Sequence, residues 1–121
     1  MIRNCKHSKR KEQDGTWITD DVERAYISLH RLGYAYSAEA WQGDELVGGL
    51  YGIKIGKVFF GESMFSKASN ASKFAFISYV KQLQSEGIEL IDCQVYTSHL
   101  ESLGAAMIPR EKFVRLLQKL L

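Results

Sequence analysis

Leu90-Ile91-Asp92-Cys93-Gln94 is the stretch from which the rest of this chain can be read. It follows a helix-like run that closes at Gly87, and its short apolar character marks a buried strand, expected over residues 89–95. Strand side chains alternate between faces. Asp92 and Gln94 are therefore expected on one side, with Ile91, Cys93 and Val95 filling a core on the other. A carboxylate in a mostly buried strand is costly unless it is hydrogen-bonded or paired. Asp92 is thus either a structural tie for a loop or a working group. A second segment, Phe60-Gly61-Glu62-Ser63-Met64-Phe65-Ser66, bears on that choice.

Working outward, Asn70 and Ser69 precede a helix expected over residues 71–86, with Phe76, Val80 and Leu83 as its apolar stripe and Lys73, Lys81 and Gln84 towards water. Before it, residues 34–42, 45–55 and 58–63 read as three strands, joined by the turns Gly43-Asp44 and Gly56-Lys57. An antiparallel meander is the simplest pairing. Gly48, Gly49 and Gly52 weaken the middle strand, so a bulge or a close approach by backbone or ligand is expected there. Thr19 offers an N-cap to a helix carrying Val22, Tyr26 and Leu29, which ends at Gly33. Downstream, a helical turn at residues 98–103, a last strand at 106–108 and a terminal helix from Pro109 or Arg110 complete the order. This is an α/β arrangement around an open mixed sheet.

A chain of 121 residues supports one domain, 1–121, with residues 1–16 as a polar, basic N-terminal segment. The net charge of +2 does not by itself argue for nucleic-acid binding. Basic residues nevertheless crowd the start of the chain: Arg3, Lys6, Lys9, Arg10 and Lys11. Such a cluster either holds a phosphate backbone or is a solvated terminus. The two cysteines, Cys5 in the polar segment and Cys93 in the strand, form no disulfide framework. No apolar run is long enough to span a bilayer and no signal peptide is visible, so a cytoplasmic location is expected. His7, His30 and His99 show no metal-ligand spacing, and no metal site is expected.

The strings GGLYG (48–52), FFGESMFS (59–66), NASK (70–73), LIDCQ (90–94), SLGA (102–105) and IPR (108–110) occur together in this order. In these the chain resembles the bacterial leucyl/phenylalanyl-tRNA-protein transferases. The resemblance implies an acetyltransferase-like (GNAT-like) fold with a mainly antiparallel sheet flanked by helices. It implies transfer of leucine or phenylalanine from aminoacyl-tRNA to the N-terminal Lys or Arg of a protein, which marks that protein for N-degron degradation. Asp92 and Gln94 would be the catalytic pair. Glu62 would orient the aminoacyl group or recognise the basic acceptor, unless it is a buried ion pair or turn anchor. Leu50, Phe59 and Met64 would line the side-chain pocket, or be core. Trp17 would stack on the terminal adenine, or staple the following helix. Lys9, Arg10 and Lys11 would contact tRNA. The loop at residues 64–70 has no glycine with which to cradle a CoA pyrophosphate, so acetyl-CoA is disfavoured and no cofactor is expected. Family members carry an additional N-terminal half that is absent here. A non-catalytic fragment binding aminoacyl-tRNA or peptide is therefore the alternative.

Overall fold

Strands β1 (Ala35–Gln42), β2 (Glu45–Ile55) and β3 (Val58–Ser66) form the expected antiparallel meander in the computed structural model, which describes residues 1–7, 18–94 and 97–121. Gly43 and Gly56 take positive φ values of 61° and 58° in the two tight turns, a conformation open to glycine at little cost. Strand β4 (Leu90–Asp92) lies parallel to β3, giving the sheet order β1-β2-β3-β4. A parallel neighbour needs a crossover, and the helix α3 (Ala71–Ser85) supplies it.

The sheet buries both faces. On one, α3 covers Ala40, Val47, Leu50 and Phe59 with Ala71, Ala75, Tyr79 and Leu83. On the other, α1 (Ile2–Lys6) and α2 (Asp20–Arg31) lie beside Tyr51 and Phe65. Thr19 caps α2 as expected, its side chain accepting from the Val22 N–H at 3.2 Å. The first residues depart from the polar segment expected there. Met1, Ile2 and Cys5 share one face of α1 and pack into the second core, where Cys5 is fully buried. Arg3 pairs with Glu23 at 3.2 Å and Lys6 with Asp20, tying α1 to α2. The Lys6 hydrogen bond and charge hold the Asp20 carboxyl below its usual range. Two of the five N-terminal basic residues are thus engaged within the chain. Lys9, Arg10 and Lys11 lie outside the described residues.

The inner face of α3 also differs from the expected Phe76, Val80 and Leu83 stripe. Leu83 is buried as expected and Phe76 packs partly against the core, but Ala71, Ser72, Ala75 and Tyr79 are the other buried residues, and Ile77 and Phe74 are exposed. The reason is Gly48. A Cβ there would lie 2.6 Å from the Ala71 Cβ and 2.8 Å from its carbonyl carbon. Small residues on both elements let the start of α3 settle onto β2, which turns the alanine line inward. Gly48→Ala is expected to cost about 1–3 kcal/mol through overpacking against helix backbone, read as a lower denaturant midpoint. An unchanged midpoint would mean that α3 is not seated this closely. Gly52 is explained in the same way, since a Cβ would meet the Phe60 carbonyl oxygen at 2.3 Å.

After α4 (Ser98–Ser102) the strand expected at 106–108 is absent. Ala106 and Met107 are exposed and lead directly into Pro109, which donates no ladder hydrogen bond. Helix α5 (Arg110–Leu120) closes the chain. Its last carbonyl, on Leu120, accepts from the Lys57 N–H at 2.9 Å in the β2–β3 turn, and Leu120 is buried there.

Candidate active site

Two irregularities bring the candidate residues together. The first is a bulge in β3. Tyr51 pairs with Ser63 but Gly52 pairs with Gly61, so Glu62 is the extra residue. A bulge re-aims the side chain it carries and is frequent beside active sites. It also reverses the alternation. Phe59 and Met64 both belong to the α3 side of the sheet, although an unbroken strand would place residues 59 and 64 on opposite faces.

The second irregularity is the short β4. Its ladder with β3 covers only Val58↔Leu90, Phe59↔Ile91 and Phe60↔Asp92, and β3 runs on to Ser66 beyond it. The expected strand at 89–95 therefore stops at Asp92, and Val95 lies outside the described residues. Gln94 does not reach Asp92's side by alternation. It sits in the left-handed region at φ 69°, and its N–H donates to the Asp92 Oδ1 at 2.9 Å. That bond is the compensation the half-buried carboxylate required. A non-glycine residue with positive φ is uncommon and concentrates at functional sites.

Asp92 shares the face of Phe60, the side covered by α1 and α2, and Tyr26 of α2 packs on that same side and acts on Glu62. Burial raises the Glu62 carboxyl above its ordinary range. The Tyr26 hydroxyl, donating to it, opposes the rise, and the Asp92 charge adds to it. Burial beside Glu62 in turn pushes the Tyr26 phenol up to about 12. Cys93, between Asp92 and Gln94, is also raised by burial and by the Asp92 charge. A thiol held protonated in this way is a poor nucleophile.

Glu62, Asp92 and Gln94 are thus gathered where the β3–β4 ladder ends. Leu50 and Phe59 are on the opposite face, 3% and 1% exposed within the α3 core, while Met64, opposite Leu50, is only partly buried. Trp17 lies outside the described residues. Tyr26 was missed in the sequence because its spacing with Val22 and Leu29 reads as an ordinary apolar stripe. Its hydroxyl among those positions was the available signal. Two surface clefts flank β1, away from β4. One, of about 320 Å³, is lined by Tyr36, Lys54, Tyr79 and Glu86 among others; the second, of about 260 Å³, is lined by residues of α1, α2, β1 and β2 including Tyr26. Neither is lined by Glu62, Asp92 or Gln94. Among the described residues no three His, Cys, Asp or Glu side chains form a metal-binding group, and no helix is long and apolar enough to cross a membrane.

Residues 1–118 match the sequence model of the family described as leucyl/phenylalanyl-tRNA protein transferase. The chain belongs to this family. The leucyl/phenylalanyl-tRNA-protein transferase of Christiangramia forsetii is 59% identical over 119 residues, which cover 97% of this chain and 56% of that protein. That of Saccharophagus degradans is 62% identical over 110 residues, 91% of this chain and 45% of the relative. That of an Anaeromyxobacter species (strain K) is 54% identical over 121 residues, covering all of this chain and 52% of the relative. The chain spans about half the length of the transferases it matches. The matched half contains the bulged β3, the short β4 and all three of Glu62, Asp92 and Gln94.

Proposed function

We propose that this chain carries the aminoacyl-transfer site of the family, moving leucine or phenylalanine from aminoacyl-tRNA to the N-terminal Lys or Arg of a protein. The observation that carries the reading is the junction of the β3 bulge with the end of the β3–β4 ladder, which sets Glu62 and Asp92 on one face and ties Gln94 to Asp92.

The chemistry asks little of a general base. An α-amine with a pKa near ~8 is already partly neutral at neutral pH. It attacks the ester carbonyl, the C–N bond forms, and the ester C–O bond to the tRNA ribose breaks. The amine loses a proton and the ribose oxygen gains one. The site has to orient the amine and accommodate the charge that develops. Asp92 holds the incoming ammonium and takes or relays its proton. Gln94 positions the amine, because a carboxamide oxygen is a very weak base. Glu62 adds a second acid for the cationic acceptor. On the α3 face Met64, with Leu50 and Phe59 behind it, offers an apolar wall whose flexible thioether adapts to leucine or phenylalanine. Trp17 would stack on the terminal adenine, and Lys9, Arg10 and Lys11 would contact the tRNA backbone. No cofactor takes part.

The order of three antiparallel strands, a crossover helix and a parallel fourth strand supports the acetyltransferase-like reading of the fold. The entrance to α3 supports a donor other than acetyl-CoA. It has no glycine, Asn70 is left-handed, and the Ser72 N–H is bound by the Ser66 Oγ at 3.3 Å. The reaction places the protein in the cytoplasm, where it would mark proteins for N-degron degradation.

The second reading is a domain that binds aminoacyl-tRNA or peptide without turnover. Incubating the chain with radiolabelled phenylalanyl-tRNA and a peptide beginning with Arg separates the two. Label in the peptide, absent when the peptide begins with acetylated Arg, supports transfer. Retention of the tRNA on a filter with no labelled peptide supports the binding reading.

A further inference from the structure

The two halves of the proposed site lie on opposite faces of the sheet. Leu50, Phe59 and Met64 belong to the α3 face, while Asp92 shares the other face with Phe60. One ester has to serve both, with its side chain on the first face and its carbonyl within reach of an amine held on the second. The β3–β4 ladder ends at Phe60↔Asp92, and β3 runs on to Ser66 beyond it. Gly61 is the first residue of β3 past that end. It is half-buried, as are its neighbours from Phe60 to Met64, between the buried Phe59 and Phe65.

Gly61 is also the glycine of the sheet whose missing side chain has no other explanation. Gly49 takes a positive φ of 153°. A Cβ at Gly48 would meet Ala71 at 2.6 Å, and one at Gly52 would meet the Phe60 carbonyl oxygen at 2.3 Å. Gly61 is outside the left-handed region, so its place in the bulge does not require glycine. Apart from its sequence neighbours, a Cβ there would meet the Asp92 carbonyl oxygen at 3.3 Å and the Phe59 ring at 3.9 Å. A small shift accommodates both contacts. A strand glycine free of these constraints marks a place where a ligand or another backbone comes close. That place lies between the start of the Asp92–Gln94 turn and the apolar wall.

We propose that Gly61 positions the donor: the aminoacyl ester crosses the sheet over Gly61, with its side chain against Phe59 and Met64 and its carbonyl turned towards Asp92 and Gln94. The identity of the donor rests on the transfer reading. The crossing itself needs only an apolar side chain joined to a polar group through a narrow link. The α-carbon of an aminoacyl group is such a link, and a methyl group at position 61 would crowd it.

The test uses the full chain, as parent and as Gly61→Ala, with two probes: a non-hydrolysable amide analogue of phenylalanyl-adenosine and a peptide beginning with Arg. Where the backbone conformation suits alanine, replacing glycine stabilises through the unfolded chain. Gly61→Ala should therefore melt at or slightly above the parent's temperature. It should bind the analogue about tenfold more weakly, the smaller end of what one methylene contributes in a pocket. Its affinity for the Arg peptide should not change, and transfer should fall through KM for phenylalanyl-tRNA rather than for the peptide. Unchanged affinity for the analogue overturns the proposal. So does loss of both probes together with a lower melting temperature, which would make Gly61 a seat for β4 alone. Should Gly61→Ala not fold, the parent chain decides. Nuclear Overhauser contacts are expected between the Gly61 α-protons and the analogue's α- and β-protons, and a bound analogue without them overturns the proposal. Failure of the transfer reading looks different. If the analogue makes these contacts and Gly61→Ala weakens it, while the parent transfers no label, transfer falls and the crossing stands.

Discussion

Asp92→Asn and Gln94→Ala are each expected to slow aminoacyl transfer by about 10²–10⁴-fold, the range typical of losing a positioned acid–base group, without unfolding the chain. Asn at position 92 keeps an oxygen where Oδ1 now accepts the Gln94 N–H at 2.9 Å. The turn should survive, and the loss reports the charge. Both residues act on one amine, so the double variant should cost less than the product of the singles. Gln94 allows a sharper form of the experiment. Its φ of 69° is a conformation that a side-chain-bearing residue adopts at a cost and glycine adopts freely. Gln94→Gly should therefore raise the melting temperature while lowering transfer. Cys93→Ala should do neither: near-normal turnover per folded molecule, with a stability loss of ~1 kcal/mol from a small cavity. Loss of transfer in Cys93→Ala, with Asp92→Asn and Gln94→Ala active, would replace this assignment by a covalent cysteine mechanism.

Phe59→Ala is expected to remove about 3–5 kcal/mol of stability, the usual consequence of deleting a large buried aromatic. Phe59 is 1% exposed and stands edge-on to Tyr79, with centroids 5.3 Å apart and planes at 82°. Since whole domains are stable by only about 5–15 kcal/mol, the variant should melt far below the parent. Met64→Ala, at a half-buried position on the same face, should cost less stability and should raise KM for leucyl donors, because a pocket distinguishes about 1–3 kcal/mol per methylene. Thermal denaturation alongside donor kinetics separates the two. Equal stability losses would assign Met64 to the core with Phe59 and remove it from the pocket.

Much of this architecture was legible because it is local. The turns at Gly43 and Gly56 fix the meander and bound β2, and Thr19 starts α2. What escaped depends on neighbours distant in sequence. The alanine face of α3 is set by Gly48 across the sheet, and periodicity alone favoured the bulkier Phe76 and Val80 beside the correctly placed Leu83. The burial of Cys5 depends on Tyr51 and Phe65, 46 and 60 residues away in the chain, so composition alone put it in a solvated segment. The site shows the same division. Asp92, Gln94 and Glu62 could be nominated from their strings. The bulge that aims Glu62, the halt of β4 at Asp92 and the turn through Gln94 could not, because all three are failures of the alternation on which a strand is recognised.

The central claim is a location: the aminoacyl group and the amine meet where the β3–β4 ladder ends. It is tested most directly by titrating the nitrogen-15-labelled chain with a non-hydrolysable amide analogue of phenylalanyl-adenosine and following the amide resonances. Shifts concentrated at Glu62, Ser63 and Met64 and at Asp92, Cys93 and Gln94, and weakened by Gln94→Ala, are the predicted result. Shifts concentrated instead along the cleft beside β1, at Tyr36, Lys54 and Tyr79, with Asp92 and Gln94 unmoved, would contradict it.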